Sequence, residues 1–185
     1  QFSYSAGDYQ GSLDSSLTGP AGDFTLSSAF TGDLQQVQLN ELLLEAGQGQ
    51  LQGSATLGFA DGLDWLTDIQ VSQLNPAYWV AELPGELAGS LHSQGQWVDG
   101  DLQVAASVDL SGKLRGSLAQ LKAQLQGAQP ADAVGLWRLS QAELRFGDNH
   151  ISGHGQLDQA LAGQLDIHLP RLVQLWPGLA GEASG

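Results

Sequence analysis

Set against itself at an offset of 100 residues, the sequence repeats: Leu44, Gly47, Leu51, Gly53 and Leu57 fall on Leu144, Gly147, Ile151, Gly153 and Leu157. The later part of the unit recurs more loosely. Ile69-Gln70-Val71 followed by Leu83-Pro84-Gly85-Glu86-Leu87-Ala88-Gly89 is answered by Asp166-Ile167-His168 followed by Trp176-Pro177-Gly178-Leu179-Ala180-Gly181, with a few residues fewer. A period in which apolar residues and glycines hold while polar residues drift is that of stacked units, each burying its apolar face on the next. The chain then divides into residues 1–40, the start of a sheet or a preceding repeat; 41–140, a first repeat; and 141–185, a second and truncated one. Such an array offers an extended surface rather than one closed catalytic centre.

The unit is made of strands. In Leu102-Gln103-Val104-Ala105-Ala106-Ser107-Val108-Asp109-Leu110 the even positions are apolar and the odd ones mostly polar, which puts one row of side chains on an apolar face and the other in water. Leu114, Gly116 and Leu118 continue the apolar row, with Lys113, Arg115 and Ser117 opposite. Further strands are expected at 23–31, 34–45, 50–58, 68–73, 86–94, 121–127, 141–147, 150–157 and 164–169. Gly-Pro at 19–20, Asp-Gly at 61–62 and 99–100, and Gly-Asp-Asn at 147–149 supply the turns between them. Helix is scarce. Asn75 to Glu82 reads as a short one, with Asn as cap and Pro76 in the first position, ended by Leu83-Pro84-Gly85; Pro170 to Trp176 is its echo. Glycines within strand patterns, at Gly53, Gly116, Gly153 and Gly155, predict a strongly curved sheet. Bent round its apolar face, the sheet makes a trough; folded on itself, it makes a dry sandwich. Periodicity taken alone favours the sandwich.

Composition narrows what such a surface can meet. Residues 1–112 hold 14 Asp and Glu and no Lys or Arg, while 113–185 hold 6 acids and 6 bases, for a net charge of −14. Binding a phosphate backbone needs clustered bases, so nucleic acid is not expected as a partner. The acidic half reads as a solvated face that keeps a leucine-rich protein soluble. With Cys 0 there is no disulfide, thiol chemistry or thiolate metal site. No apolar run reaches the roughly 18 residues of a membrane-spanning helix. A chain opening at Gln1 without Met is expected to be an interior piece of a longer one.

Candidate chemistry is thin. His150 and His154 have a metal-ligand spacing on a helix, but in a strand pattern their rings stand about 13 Å apart. Only His168 or an acid on a neighbouring strand could join one of them, and no metal is expected. Asp61, Asp64 and Asp68, and Asp99 with Asp101, invite a glycosidase or calcium reading, which needs two carboxylates facing across a cleft or a loop with ligands at alternating positions. Asp99-Gly100-Asp101 is a hairpin turn. No nucleophile elbow, phosphate loop or dinucleotide fingerprint occurs, so neither an enzymatic activity nor a cofactor is expected. Trp65, Trp79, Trp97, Trp137 and Trp176 could stack on sugars, but Trp79 and Trp176 recur beside Pro-Gly turns, where an aromatic packs a cap on a sheet.

Three stretches resemble a known family. They are Leu74-Asn75-Pro76-Ala77-Tyr78-Trp79 with Leu83-Pro84-Gly85-Glu86-Leu87-Ala88-Gly89; Ala142-Glu143-Leu144-Arg145-Phe146-Gly147-Asp148-Asn149-His150-Ile151-Ser152-Gly153-His154-Gly155 with Leu172 to Gly181; and Val108-Asp109-Leu110-Ser111-Gly112-Lys113-Leu114-Arg115-Gly116. Their order resembles the TamB family of the AsmA-like superfamily over most of residues 20–185. The resemblance implies an all-β fold: an elongated, curved, taco-like sheet of repeats with an apolar concave groove and short helical caps, which reverses the balance and puts the open trough first. It also implies a periplasmic segment of a bridge between the inner and outer membranes of a Gram-negative bacterium. Such a bridge is anchored by an N-terminal helix missing from this chain, and reaches an Omp85-type, TamA-like barrel through a segment not in it.

The implied partner is phospholipid, whose acyl chains the groove would shield. The alternative is a scaffold or chaperone for outer-membrane protein assembly, autotransporters included, with the barrel. The lining expected of the groove is Leu42, Leu44, Leu51, Leu57, Ile69 and Val71, then Leu87, Leu91, Leu102, Val104, Val108, Leu110, Leu114 and Leu118. In the second repeat it is Leu144, Phe146, Ile151, Leu157, Leu165 and Ile167.

Overall fold

The computed structural model describes residues 2–5, 7–175, 178 and 181–185. Among these the strands are β1 (Phe2–Ser5), β2 (Asp8–Gly19), β3 (Gly22–Gly32), β4 (Gln36–Ala46), β5 (Gly49–Gly58), β6 (Leu63–Leu74) and β7 (Gly85–Val98). They continue as β8 (Asp101–Leu114), β9 (Ser117–Gln129), β10 (Leu136–Phe146), β11 (Asn149–Leu157), β12 (Leu161–Leu169) and β13 (Ala183–Ser184). Each pairs antiparallel with its chain neighbours, giving one 13-stranded sheet in sequence order that does not close into a barrel. At about 4.8 Å per strand the sheet runs roughly 58 Å across its strands. A twist of about 20° at each step winds it through more than half a turn.

Tight turns make this possible. Val98 pairs with Asp101 across Asp99 (φ 51°) and Gly100 (φ 92°), and Leu114 with Ser117 across Arg115 (φ 49°) and Gly116 (φ 78°). Paired positive φ values are those of the two-residue turn whose twist matches a hairpin. This corrects the reading of 102–118 as one strand: Gly116 is a turn residue, and the chain reverses there.

The 100-residue offset appears in the strands. β4 begins at Gln36 and β10 at Leu136, β5 at Gly49 and β11 at Asn149. Both β4 and β10 carry a bulge, between Leu39 and Leu42 and between Leu139 and Ala142, each beside a glycine of the next strand, Gly53 or Gly153. A β-carbon on Gly53 would run into the Asp68 carbonyl oxygen, so the strands there approach more closely than a side chain allows. Bulges raise local twist and bend the strand. β6 is bulged too, between Val71 and Leu74, with Gln73 at φ 48°.

The helices are shorter than the sequence suggests. Asn75 caps a single 3-10 turn, Pro76–Tyr78, and α1 spans Leu172–Leu175. The Asn75 Oδ1 accepts from Ala77 N (3.1 Å) and from Gly85 N (3.0 Å), which ties the two ends of the 75–84 loop and leaves no length for a second turn. The expected match between Trp79 and Trp176 cannot be drawn in space, because Trp176, Pro177, Leu179 and Ala180 lie outside the described residues.

Both elements sit at the same ends of the strands. The rim formed by the turns β2–β3, β4–β5, β6–β7, β8–β9 and β10–β11 is therefore the capped rim. The turns β1–β2, β3–β4, β5–β6, β7–β8, β9–β10 and β11–β12 form the open rim. Each cap reaches back across the sheet: Trp79 packs on Phe24 of β3 with ring centroids 5.5 Å apart, and Tyr78 closes on Gly19, Gly22 and Gly47. At α1, the Arg115 guanidinium donates to the carbonyls of Gln174 (3.1 Å) and Val173 (3.4 Å). The β2–β3 and β8–β9 turns, six strands apart, thus carry equivalent caps.

Candidate functional site

In an antiparallel ladder directly paired residues share a face, so register sorts the side chains. One continuous set runs through Tyr9, Leu13 and Leu17 of β2, Phe24, Leu26 and Phe30 of β3, Val37, Leu39, Leu42 and Leu44 of β4, and Leu51 and Leu57 of β5. It goes on through Trp65, Ile69 and Val71, through Leu87 and Leu91, and through Leu102, Val104, Val108, Leu110 and Leu114. Leu121, Leu125, Trp137, Leu144, Phe146, Ile151, Leu157, Leu165 and Ile167 complete it. Among the paired strand residues described, this face holds no Asp, Glu, Lys, Arg or His. They all point the other way.

Among the described residues no second sheet lies over that face, which only the caps touch, at one rim. The buried apolar ones among the described residues are Ala46, Val71, Ala77, Ala119 and Phe146, few for a chain that is 42 % hydrophobic. The accessible surface of 11263 Å² compares with about 8,500 Å² expected of a compact monomer of this mass. A dry sandwich core would give neither value. Even so, along β6 and β8 the side chains of this face are half-buried or, at Val71, buried, while most of those on the other face are exposed. With no second layer, that shielding comes from side chains of the same face. Near the capped rim, Leu83, Leu87, Leu110, Leu114, Ala119, Leu121, Leu144 and Phe146 enclose an apolar hollow of about 260 Å³.

All but one of the candidate lining residues lie on this face. The exception is Leu118, which pairs with Lys113 and is 70 % exposed on the polar side. The cause is the Arg115-Gly116 turn: reversal by a two-residue loop puts Ser117 across from Leu114, so parity inverts and the odd positions of β9 become the apolar row. Conversely, the sequence reading missed β2. There Tyr9, Leu13 and Leu17 are separated by Gly11 and Ser15, and a spacing of four looks helical rather than extended. Trp65 and Trp137 were missed as well. Each pairs with a glycine, Gly95 or Gly127, at which a β-carbon would strike the indole; a glycine facing an aromatic at strand spacing was the available signal.

The polar face is a field of ion pairs and glutamines. Asp68 Oδ1 meets His92 Nδ1 at 2.6 Å, Lys122 Nζ meets Asp109 Oδ2 at 3.0 Å, and Arg145 Nε meets Glu143 Oε1 at 2.6 Å. His150 and His154 lie on β11, where they alternate with the apolar row, and His150 pairs with His168. The His150 Nε2 is 3.7 Å from Glu143 Oε1. Asp61 lies in the β5–β6 turn, while Asp64 and Asp68 are strand residues of β6. A shallow hollow of about 610 Å³ crosses this face between Asp64, Gln94, Gln103, Gln126 and Arg138.

Among the described residues this sheet face is apolar, carries no charge at its paired positions, and is bordered on one rim by two caps six strands apart. A family model described as "TamB, N-terminal domain" matches residues 1–185. The chain is 27% identical over 154 residues to the translocation and assembly module subunit TamB of Haemophilus influenzae, an alignment that covers 83% of this chain and 12% of that protein. No solved structure matches.

Proposed function

The chain belongs to the TamB family, and on that premise we propose that it is a periplasmic segment of a bridge between the inner and outer membranes, carrying phospholipid with the acyl chains against the apolar face. The observation that supports this most is that, among the paired strand residues described, a face running from β2 to β12 carries no charged side chain and has no second sheet over it. Moving an acyl chain through water costs about 0.8 kcal/mol per CH₂, so a 16-carbon tail needs shielding worth roughly 12 kcal/mol. A groove that is apolar along its whole length offers that shielding at every step. Repeats lengthen it without new chemistry.

The test is site-specific photo-crosslinking in bacteria. A crosslinking residue at Val104, Val108 or Leu114 is expected to capture lipid, and one at Gln103, Asp109 or Lys113 to capture none. Equal capture on both faces would rule the reading out.

A second reading, a scaffold for outer-membrane protein assembly, draws on the relative's printed name, translocation and assembly module subunit. It also draws on β12. Among the described residues the pairing of β12 with Ala183 to Gly185 reaches only Ile167 to Leu169, so Leu161 to Asp166 present an edge to which an extended client could add. Binding by that edge would tolerate Val108→Asp, whereas lipid carriage would not.

A further inference from the structure

Resting on the lipid reading, we infer that the bound phospholipid lies along the strands with its headgroup at the open rim and its tails toward the capped rim, and that the headgroup is of the zwitterionic class bearing an ammonium group.

The two rims differ in chemistry. At the open rim the apolar face carries Trp65, Trp97 and Trp137, with Tyr4 and Tyr9 on β1 and β2; Trp97 is 56% exposed. Indole and phenol rings settle where hydrocarbon meets headgroup, because one end of the ring is apolar and the other polar. At the capped rim the aromatics Phe24, Tyr78 and Trp79 are instead packed together under the first cap, and the apolar hollow bounded by Leu83 and Phe146 lies beyond them. From Val104, between the two tryptophan–glycine pairs, to Leu110 on the wall of that hollow is six residues, or about 20 Å. A tail in one leaflet is about 15 Å long, half of a 30 Å hydrocarbon core. The span is long enough for the tail.

Charge decides the headgroup. Each open-rim turn carries an aspartate in it or beside it: Asp8, Asp33, Asp61, Asp99, Asp132 and Asp158. The nearest base on these strand ends is Arg138, which donates to Gln156 Oε1 at 3.2 Å. Asp33 and Asp158 also accept from backbone amides of their turns. A headgroup of net charge −1 moves along this rim against repulsion, whereas a zwitterion presents its ammonium to the carboxylates.

The chain is incubated with vesicles of equal phosphatidylethanolamine and phosphatidylglycerol carrying the same tails, re-isolated, and its bound lipid weighed by native mass spectrometry. The ethanolamine lipid is expected to be enriched roughly three- to tenfold. In a variant with Asp61→Asn, Asp99→Asn and Asp132→Asn the ratio should fall toward one with total lipid unchanged. Parity in the unaltered chain, or enrichment of the glycerol lipid, overturns the headgroup assignment and leaves lipid carriage standing; no bound lipid of either kind overturns both.

Orientation is read separately, in a Trp79→Phe, Trp176→Phe variant that keeps the three open-rim tryptophans. Ethanolamine lipid brominated near the carbonyl should quench their fluorescence more than lipid brominated at the tail ends. Equal or reversed quenching overturns the orientation.

Discussion

The indole of Trp65 lies over Gly95, its register partner on β7, and its Nε1 donates to the Ser93 hydroxyl at 3.0 Å. Trp137 covers Gly127 in the same way on the far side of β8. A ring laid across a glycine recovers packing that the missing side chain forgoes, and it fixes register at a place where the sheet has no second layer to do so.

Substitution at that glycine is the most direct probe of the arrangement. Gly95→Val should drive the Trp65 ring off the sheet and cost about 1–3 kcal/mol, read as a lower midpoint in denaturant together with a red shift of tryptophan emission. An unchanged midpoint would mean the ring does not rest there.

Asn149 ties the second cap. Its Oδ1 accepts from Arg171 N (3.1 Å), and its Nδ2 donates to the Phe146 carbonyl (3.1 Å), the Arg171 carbonyl (3.0 Å) and Gln174 Oε1 (3.0 Å). The side chain is fully buried, so Asn149→Ala strands several backbone groups and should cost about 2–3 kcal/mol. Hydrogen exchange should show the loss concentrated in 171–175, with the first cap undisturbed.

The two faces should answer differently to a polar change. Leu118→Gln, on the polar side, is expected to shift stability by no more than about 0.5 kcal/mol. Val71→Asp, at 4% exposure on the apolar side, should cost about 3–5 kcal/mol by burying an unpaired carboxylate. Thermal melts of the pair check this. Comparable losses would refute the face assignment.

Asp158 titrates below the ordinary carboxylate range because the Ala160 backbone amide and then the Gln156 side chain donate to it. A lowered folded-state value means its contribution is fully present above the usual pKa of 3.8 and is lost as pH falls through the lowered value. An NMR titration of the side-chain carboxyl should find the low midpoint, and Gln156→Ala should raise it. A midpoint at 3.8 or above would contradict the turn geometry.

Much of this protein is legible in its sequence. Alternation at 102–110 gave a strand, Asp99-Gly100 a hairpin, and the 100-residue offset a repeated unit, because each rests on local backbone preference or on the two-residue period of a pleat. The first cap was legible from Asn75-Pro76, though not its length, which depends on the long-range bond from Gly85 N to Asn75 Oδ1. Leu118 shows where local reading stops: its face depends on whether Arg115-Gly116 extends or reverses, and alternation is blind to a turn that preserves the period while inverting the parity.

What covers the apolar face was decided only in three dimensions. Alternation requires that one row of side chains leave water, and a facing sheet, a closed barrel or a bound ligand would satisfy it equally. Among the described residues the register and the strand order β1 to β13 leave that face without a second sheet, and the caps, each reaching back over several strands, fix which rim is closed. The sequence determined that an apolar surface exists and repeats; the long-range pairing that sets strand order determined that it stays open.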